Sequence, residues 1–268
     1  MRIKYVVSSM IFWWRENRLT FEQDCQLLKS MGFGVELWPD IRGESDCRYE
    51  RRNWPRLVAA TEGMRVSMLS RRDNPTLEQW SEQIECAKQL GADIVTDLRS
   101  FGIPESSEVN GFDFSAEVVK LAEDNDVKLC IETGELAALK RAGKRFEGIR
   151  YCLDTGYAYL NSEVSFNRYV DELAPRVGHL HLTDNYGQKN DHAPPGLRGG
   201  MPRENWEYLL EALSKYDNEV IASLEIYPSM PDVLIRQASE FLFGELNWPN
   251  PPQKQYVSAR ATSGGSAE

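Results

Sequence analysis

The chain has 268 residues, which suits one large domain, and 41% of them are hydrophobic, enough for a substantial core. Its formal net charge of −10 argues against a nucleic-acid-binding protein, and no stretch is apolar over the length of a membrane span. Five cysteines without C-x-x-C or disulfide-framework spacing predict reduced thiols and a cytoplasmic protein.

Short β-like runs alternate with helical patterns along the whole chain. The predicted strands are residues 3–8, 35–38, 64–70, 93–98, 127–132, 150–154, 177–183 and 220–227. The predicted helices are residues 21–31, 54–62, 77–90, 114–125, 135–142, 165–173, 205–216 and 231–241. Because eight such units are the number that closes a parallel barrel, we predict the α/β fold class and a (β/α)8 TIM barrel.

The barrel is predicted to be a single domain of residues 1–247. Residues 248–268 contain several prolines and end in a segment rich in serine, glycine and alanine, with neither helical nor strand periodicity. We predict that they form an irregular or disordered tail, with packing on a neighbouring subunit as the alternative. A homo-oligomer is therefore left open.

Polar residues fall at the carboxyl ends of the last four predicted strands. Because side chains alternate along a strand, these residues are predicted to face the barrel interior while their leucine and isoleucine neighbours face the helices. They are Glu132, Asp154, His181 and Glu225. Taken alone, each acid is more simply interpreted as a strand end, a helix cap or a partner of an arginine, so the case for a shared site depends on the four residues together.

Three carboxylates and an imidazole that converge at a barrel mouth would repel one another without a cation. We therefore predict that these four residues bind one divalent metal ion. The oxygen-rich ligand set favours Mn²⁺ first, with Mg²⁺, Co²⁺, Fe²⁺ or Zn²⁺ as alternatives.

Other residues are predicted to lie around this site. His179 faces the same side as the strand-end ligands but one layer deeper, so we assign it a supporting role behind them. Glu36 faces inward by the same parity and is predicted to hydrogen-bond in the substrate pocket or to support the neighbouring strand. Trp13, Trp14 and Trp38 lie in or lead into loops at the barrel mouth, where they offer flat apolar faces to a sugar or simply pack.

Six motifs resemble the xylose isomerase-like barrel superfamily, in particular its sugar phosphate isomerase/epimerase group. That group also contains ketose 3-epimerases, inosose dehydratases and AP endonucleases. The resemblance covers residues 1 to 243, and its motifs are GVELW at 34–38, CIETG at 130–134, LDTGY at 153–157, HLHLTDN at 179–185, DHAPPG at 191–196 and SLE at 223–225.

The resemblance implies roles for individual residues. It implies that Glu132 and Glu225, besides binding the metal, act as acid and base on a chelated hydroxyketone. His192 matches a histidine that approaches the substrate from the loop after strand 7, an exposed loop histidine being the alternative. Tyr157 stands where relatives commonly carry a histidine near the substrate, and its phenol gives up a proton less readily near neutral pH.

The predicted function is that of a metal-dependent isomerase or epimerase whose partner is a small-molecule sugar or keto-polyol. A dehydratase or lyase on a keto-polyol or 3-keto-glycoside would use the same residues. A non-catalytic sugar-binding barrel is a further alternative. An AP endonuclease is disfavoured because the three histidines of this chain are too few for the three-zinc site of that family.

Overall fold

The computed structural model describes residues 1–13, 19–39, 48–71, 76–92, 94–97, 116–132, 134–161, 163–228 and 230–253. Within them, eight parallel strands close into a barrel in which each strand pairs with the next and the last pairs with the first. The strands are β1 Arg2–Ser8, β2 Gly34–Leu37, β3 Val66–Leu69, β4 Ile94–Asp97, β5 Lys128–Glu132, β6 Arg150–Asp154, β7 Val177–Leu182 and β8 Glu219–Leu224. The predicted TIM barrel is confirmed.

Helices connect the strands in the described segments, and most begin or end within three residues of their predicted bounds. They are α1 Phe21–Met31, α2 Trp54–Thr61, α3 Leu77–Leu90, α4 Ala116–Asp124, α5 Leu136–Arg145, α6 Thr155–Leu160, α7 Phe166–Leu173, α8 Arg203–Ser214 and α9 Pro231–Ser239. A π-helical turn, Glu240–Glu245, prolongs α9. The short helix α6 has no counterpart in the sequence prediction.

Local sequence signals determine where α1 starts and ends. The Thr20 hydroxyl accepts a hydrogen bond from the Gln23 N–H, and the Gln23 side chain accepts one from the Thr20 N–H, which forms a capping box. The helix ends at Gly32, whose φ of 83° lies in the left-handed region that glycine adopts without strain. At α3, Thr76 and Gln79 form the same capping box and Gly91 is the left-handed C-cap. The bounds of both helices are therefore determined by residues at their own ends.

The barrel interior changes from apolar to polar along its axis. A small cluster of apolar side chains fills its centre, formed by Val6, Ile94, Cys130, Cys152 and Ile221. Two residues further along the strands, towards their carboxyl ends, the inward positions carry polar groups instead. The larger apolar core lies outside the barrel, between strands and helices, so the polar layer is enclosed by protein on its lower side.

The chain beyond the last helix packs on the rest of the protein as far as it is described. Trp248 is only 2% exposed and contacts Trp206 edge-on, with ring centroids 6.4 Å apart. The Tyr5 hydroxyl donates a 2.9 Å hydrogen bond to the Pro249 carbonyl. The division into a domain of residues 1–247 and a tail of residues 248–268 stays a prediction, and residues 254–268 lie outside the described segments.

Among the described residues, no helix has both the length and the apolar character that crossing a bilayer requires.

Arg176 joins the end of α5 to the start of β7. Its guanidinium donates hydrogen bonds of 2.6 Å to the Gly143 carbonyl and 3.0 Å to the Phe146 carbonyl, and lies over the Tyr151 ring. Because these carbonyls lose a charged donor in Arg176→Met, we expect the free energy of unfolding to fall by about 2 to 4 kcal/mol in urea denaturation. Arg141→Met, an exposed position on α5, is the matched control, and an equal loss in both variants would contradict this role.

Candidate metal centre

The four strand-end residues predicted to bind a metal come together at the barrel mouth. One ligand atom from each of Glu132, Asp154, His181 and Glu225 lies within 4.8 Å of those of the other three. All four side chains are buried. β5 and β6 end at the first two residues, and the other two lie at the carboxyl ends of β7 and β8, the edge at which TIM barrels build their active sites.

The two nitrogens of the His181 ring face different carboxylates. Nδ1 lies 2.7 Å from Glu132 Oε1 and 3.1 Å from Glu225 Oε2, both at the mouth. Nε2 lies 3.3 Å from Glu36 Oε2, on the opposite side of the ring. The ring therefore separates the predicted ligands from a further buried carboxylate.

Burial and charge act in opposite directions on these groups. Burial raises the pKa of Glu132 above its usual range, although the attraction of His181 partly offsets it. Burial also works to raise the pKa of Glu225, but His181 outweighs it and holds that pKa below the usual range. Burial alone would lower the pKa of His181, yet the anionic groups around it raise this pKa well above its ordinary value. The surroundings of Glu132 and His181 thus favour retention of protons, which a bound cation would displace.

Two buried carboxylate oxygens of the cluster indicate whether a metal ion would fit there. Glu132 Oε2 and Glu225 Oε2 are buried and make no hydrogen bond among the described residues, although Glu225 Oε2 approaches His181 Nδ1 to 3.1 Å. A buried carboxylate oxygen without a partner is costly, and a divalent cation would satisfy both. Carboxylate oxygens with one imidazole match the ligand preferences of Mn²⁺ and Mg²⁺ and accommodate Zn²⁺, Co²⁺ and Fe²⁺. The residues present therefore fit a divalent metal ion.

Asp154 is both a member of the cluster and the N-cap of α6. Its Oδ1 accepts hydrogen bonds from the Tyr157 N–H at 2.8 Å and the Thr183 hydroxyl at 2.9 Å. Its Oδ2 accepts one from the Asn190 amide at 3.3 Å. Thr183 and Asn190 were not predicted as site residues, although Thr183 follows His181 by two positions and so shares its side of the strand.

Gly156 lies against the groups that hold Asp154. A Cβ atom at this position would collide with Thr183 Oγ1 and come within 2.9 Å of Asn190 Oδ1. We expect Gly156→Ala to lower the free energy of unfolding by about 1 to 3 kcal/mol, since the added methyl overpacks a buried site. In Gly244→Ala the added Cβ meets no atom within 4 Å. Similar melting temperatures for the two variants would contradict the expected crowding at Gly156.

His192 reaches the cluster from the loop after β7. Its Nδ1 lies 3.6 Å from Glu225 Oε2, and a quarter of its side chain is exposed. Its backbone has a left-handed φ of 46°, and its carbonyl accepts a 2.7 Å hydrogen bond from the Tyr227 N–H. The loop is thus tied to the end of the barrel, and this histidine stands between the candidate ligands and solvent.

The predicted aromatic residues have different surroundings. Trp38 is only 4% exposed and its indole N–H donates a 2.7 Å hydrogen bond to the Ser8 hydroxyl. Trp13 packs against it edge-on with a centroid distance of 5.1 Å and is partly exposed. Tyr157 is half-buried, and burial raises the pKa of its phenol. Trp14 lies outside the described residues.

Glu36 and His179 lie below the cluster. Both are fully buried. The His179 ring contacts the His181 ring edge-on at a centroid distance of 4.8 Å, and its Nε2 lies 3.0 Å from Glu36 Oε2. This placement favours a role for Glu36 inside the protein over contact with a substrate.

The closed parallel barrel and its buried carboxylate-imidazole cluster define a TIM barrel with a candidate metal centre at the carboxyl ends of its strands. The family model described as xylose isomerase-like TIM barrel matches residues 44–244. The chain belongs to this family. The resemblance inferred from the six motifs is confirmed.

Solved structures show the same fold. The TTHB071 protein from Thermus thermophilus, soaked with zinc chloride, is 19% identical, with a TM-score of 0.60 over 89% of this chain and 96% of that one. The IolI protein with a bound zinc atom is 14% identical, with a TM-score of 0.61 over 91% and 98%. An L-ribulose 3-epimerase is 14% identical, with a TM-score of 0.59 over 89% and 86%. No match was found among curated protein sequences.

Proposed function

We propose that this protein is a divalent-metal-dependent sugar isomerase or epimerase that transfers a proton next to the carbonyl of a ketose or keto-polyol. The observation that carries the proposal is the pair of buried carboxylate oxygens of Glu132 and Glu225 that make no hydrogen bond and lie beside His181. These oxygens are positioned to hold an ion and to exchange a proton with a substrate. Membership of the xylose isomerase-like family supports this reaction class.

The proposed centre consists of Glu132, Asp154, His181 and Glu225, with Mn²⁺ as the preferred ion. When bound, a divalent ion would polarise the substrate carbonyl and lower the cost of removing the neighbouring proton. Glu132 and Glu225 then serve as the acid and the base, since both lie at the mouth within reach of a bound molecule. Asp154, held by three hydrogen bonds, orients the cluster without moving a proton.

The residues around the mouth are proposed to bind the sugar. His192 is placed to hydrogen-bond a substrate hydroxyl beside Glu225. The apolar side of the pocket is proposed to be formed by Tyr157, Trp13, Trp14 and Trp38. Of these, Trp38 packs edge-on against Trp13. A small neutral polyol suits this mixture of one imidazole and several aromatic groups. The buried free thiols of the described cysteines support the reducing cytoplasm proposed as the location.

A substrate screen tests the proposed reaction. Ketoses, inososes and keto-glycosides are incubated with the Mn²⁺-loaded protein in D₂O and followed by proton NMR. We expect one of them to lose the signal of the hydrogen beside its carbonyl, with or without net conversion to an isomer. Loss of a hydroxyl as water would instead identify a dehydratase. A metal-loaded protein that exchanges no proton in any of these compounds would contradict the proposal.

A further inference from the structure

A chain of buried polar groups runs across the barrel beneath the candidate metal centre. The Thr96 hydroxyl lies 2.7 Å from His179 Nδ1, and His179 Nε2 lies 3.0 Å from Glu36 Oε2. The same Glu36 oxygen lies 3.3 Å from His181 Nε2. The chain therefore connects β4 and β2 with the imidazole of the proposed centre, and the acid-base chemistry proposed above does not use it.

Glu36 is the branching point of this chain. Its other oxygen, Oε1, accepts a 2.7 Å hydrogen bond from the Ser223 hydroxyl, and the Ser67 hydroxyl lies 3.4 Å from Oε2. Both carboxylate oxygens thus have partners from the protein, and the side chain is fully buried. A carboxylate is retained in such a place only when groups around it compensate for its lost hydration, and here two imidazoles and two hydroxyls do so.

Two imidazole rings approach the same oxygen of Glu36. His181 Nε2 lies 3.3 Å from Glu36 Oε2 in hydrogen-bond geometry, whereas His179 Nε2 lies 3.0 Å away without that geometry. Glu36 is therefore placed to accept a hydrogen bond from the His181 ring. Because the two nitrogens of an imidazole differ in protonation, a hydrogen bond from Nε2–H leaves the lone pair of Nδ1 for another partner.

We propose that Glu36 is a positioning residue that acts through His181. By accepting the Nε2–H hydrogen bond, it orients the ring so that Nδ1 faces Glu132 and Glu225 and is ready to ligate the ion. This inference rests on the proposed metal centre. Outer carboxylates of this kind change metal affinity by about 10- to 100-fold, and Thr96 and His179 contribute by holding Glu36 from the far side.

Metal affinity, measured without any substrate, tests this role. The dissociation constant of Mn²⁺ is determined by calorimetric titration for the wild type and for Glu36→Gln, which preserves size and removes the charge. We expect about 10- to 100-fold weaker binding in this variant. Glu219→Gln, which removes a carboxylate at the opposite end of the barrel, is the control and is expected to change affinity less than about 3-fold.

A double-mutant cycle separates action through His181 from a general loss of negative charge. His181→Gln weakens binding, and adding Glu36→Gln to it should cost little more, because the contact through which Glu36 acts is already lost. Additive losses would overturn the proposal. The absorption spectrum of the Co²⁺-loaded protein should also change in Glu36→Gln, since the ligand field depends on how the imidazole is oriented.

The outcomes distinguish this inference from the metal centre itself. A wild type that binds no Mn²⁺ overturns both, whereas equal affinity in wild type and Glu36→Gln overturns only the role of Glu36. Should Glu36→Gln fail to fold, Glu36→Asp keeps the charge and shortens the reach by one methylene. Weaker Mn²⁺ binding by the folded Glu36→Asp protein supports the proposal, and wild-type affinity contradicts it.

Discussion

Replacing Glu225 with glutamine is expected to reduce the rate of proton exchange by about 10³-fold on whichever substrate the NMR screen identifies. The amide keeps the size of the side chain but neither takes up a proton from carbon nor carries the charge that binds the ion. Glu132→Gln should have an effect of the same order, because the two carboxylates are proposed to share the proton transfer. The exchange rate in D₂O, measured at saturating Mn²⁺, reports this loss.

The matched control for these variants is Glu219→Gln. Glu219 begins β8, the same strand that leads to Glu225, but lies at the opposite end of the barrel in a 2.5 Å ion pair with Lys4. Its replacement should leave the exchange rate within about 2-fold of the wild type, as expected for a surface change remote from the site. If metal-saturated Glu132→Gln and Glu225→Gln both exchanged protons at near wild-type rates, the assigned chemistry would be wrong.

Binding of Mn²⁺ is expected to stabilise the fold strongly. At a free concentration 100 times the dissociation constant, ligand binding adds about 2.7 kcal/mol to the free energy of unfolding. For a chain of this length the melting temperature should then rise by about 5 °C. The physical reason is that the ion satisfies the buried oxygens of Glu132 and Glu225 that make no hydrogen bond and relieves repulsion among buried carboxylates.

Thermal unfolding with and without Mn²⁺, after treatment with a chelator, measures this shift. His181→Gln and Asp154→Asn each remove one proposed ligand and should lose most of it, while Glu219→Gln should retain it in full. A shift as large as that of the wild type in both ligand variants would mean that the ion binds elsewhere on the protein.

Strand periodicity was enough to predict the barrel and the members of the cluster. Each of the last four strands places apolar side chains against the helices and a polar one at its carboxyl end. The alternation of side chains along the strand is therefore enough to predict which residues face inward. The final strand is nevertheless shorter than predicted, ending at Leu224 rather than at residue 227. The reason is tertiary, because the Tyr227 N–H donates to the His192 carbonyl in a loop instead of to a neighbouring strand.

The alternation of side chains along a strand does not reveal how deep in the barrel an inward-facing side chain lies. Glu36 and Glu132 both face inward, yet one lies beneath the His181 ring and the other beside its Nδ1. Their relative heights depend on the stagger between strands from distant parts of the chain, which arises only when the barrel closes. The helix α6 was missed for a different reason. Its six residues are too few to show a helical period, and its cap, Asp154, also reads as the end of a strand.

The capping of α6 by Asp154 has a consequence for how this part of the molecule opens. One carboxylate accepts the backbone N–H of Tyr157 and the hydroxyl of Thr183, and in the proposed centre it also ligates the ion. Local unfolding of Thr155–Leu160 would remove the Tyr157 N–H from that carboxylate and leave it to Thr183 and Asn190, so the proposed ligand would be held less firmly when the segment opens. Occupancy of the centre and the opening equilibrium of this one turn and a half of helix are therefore thermodynamically linked.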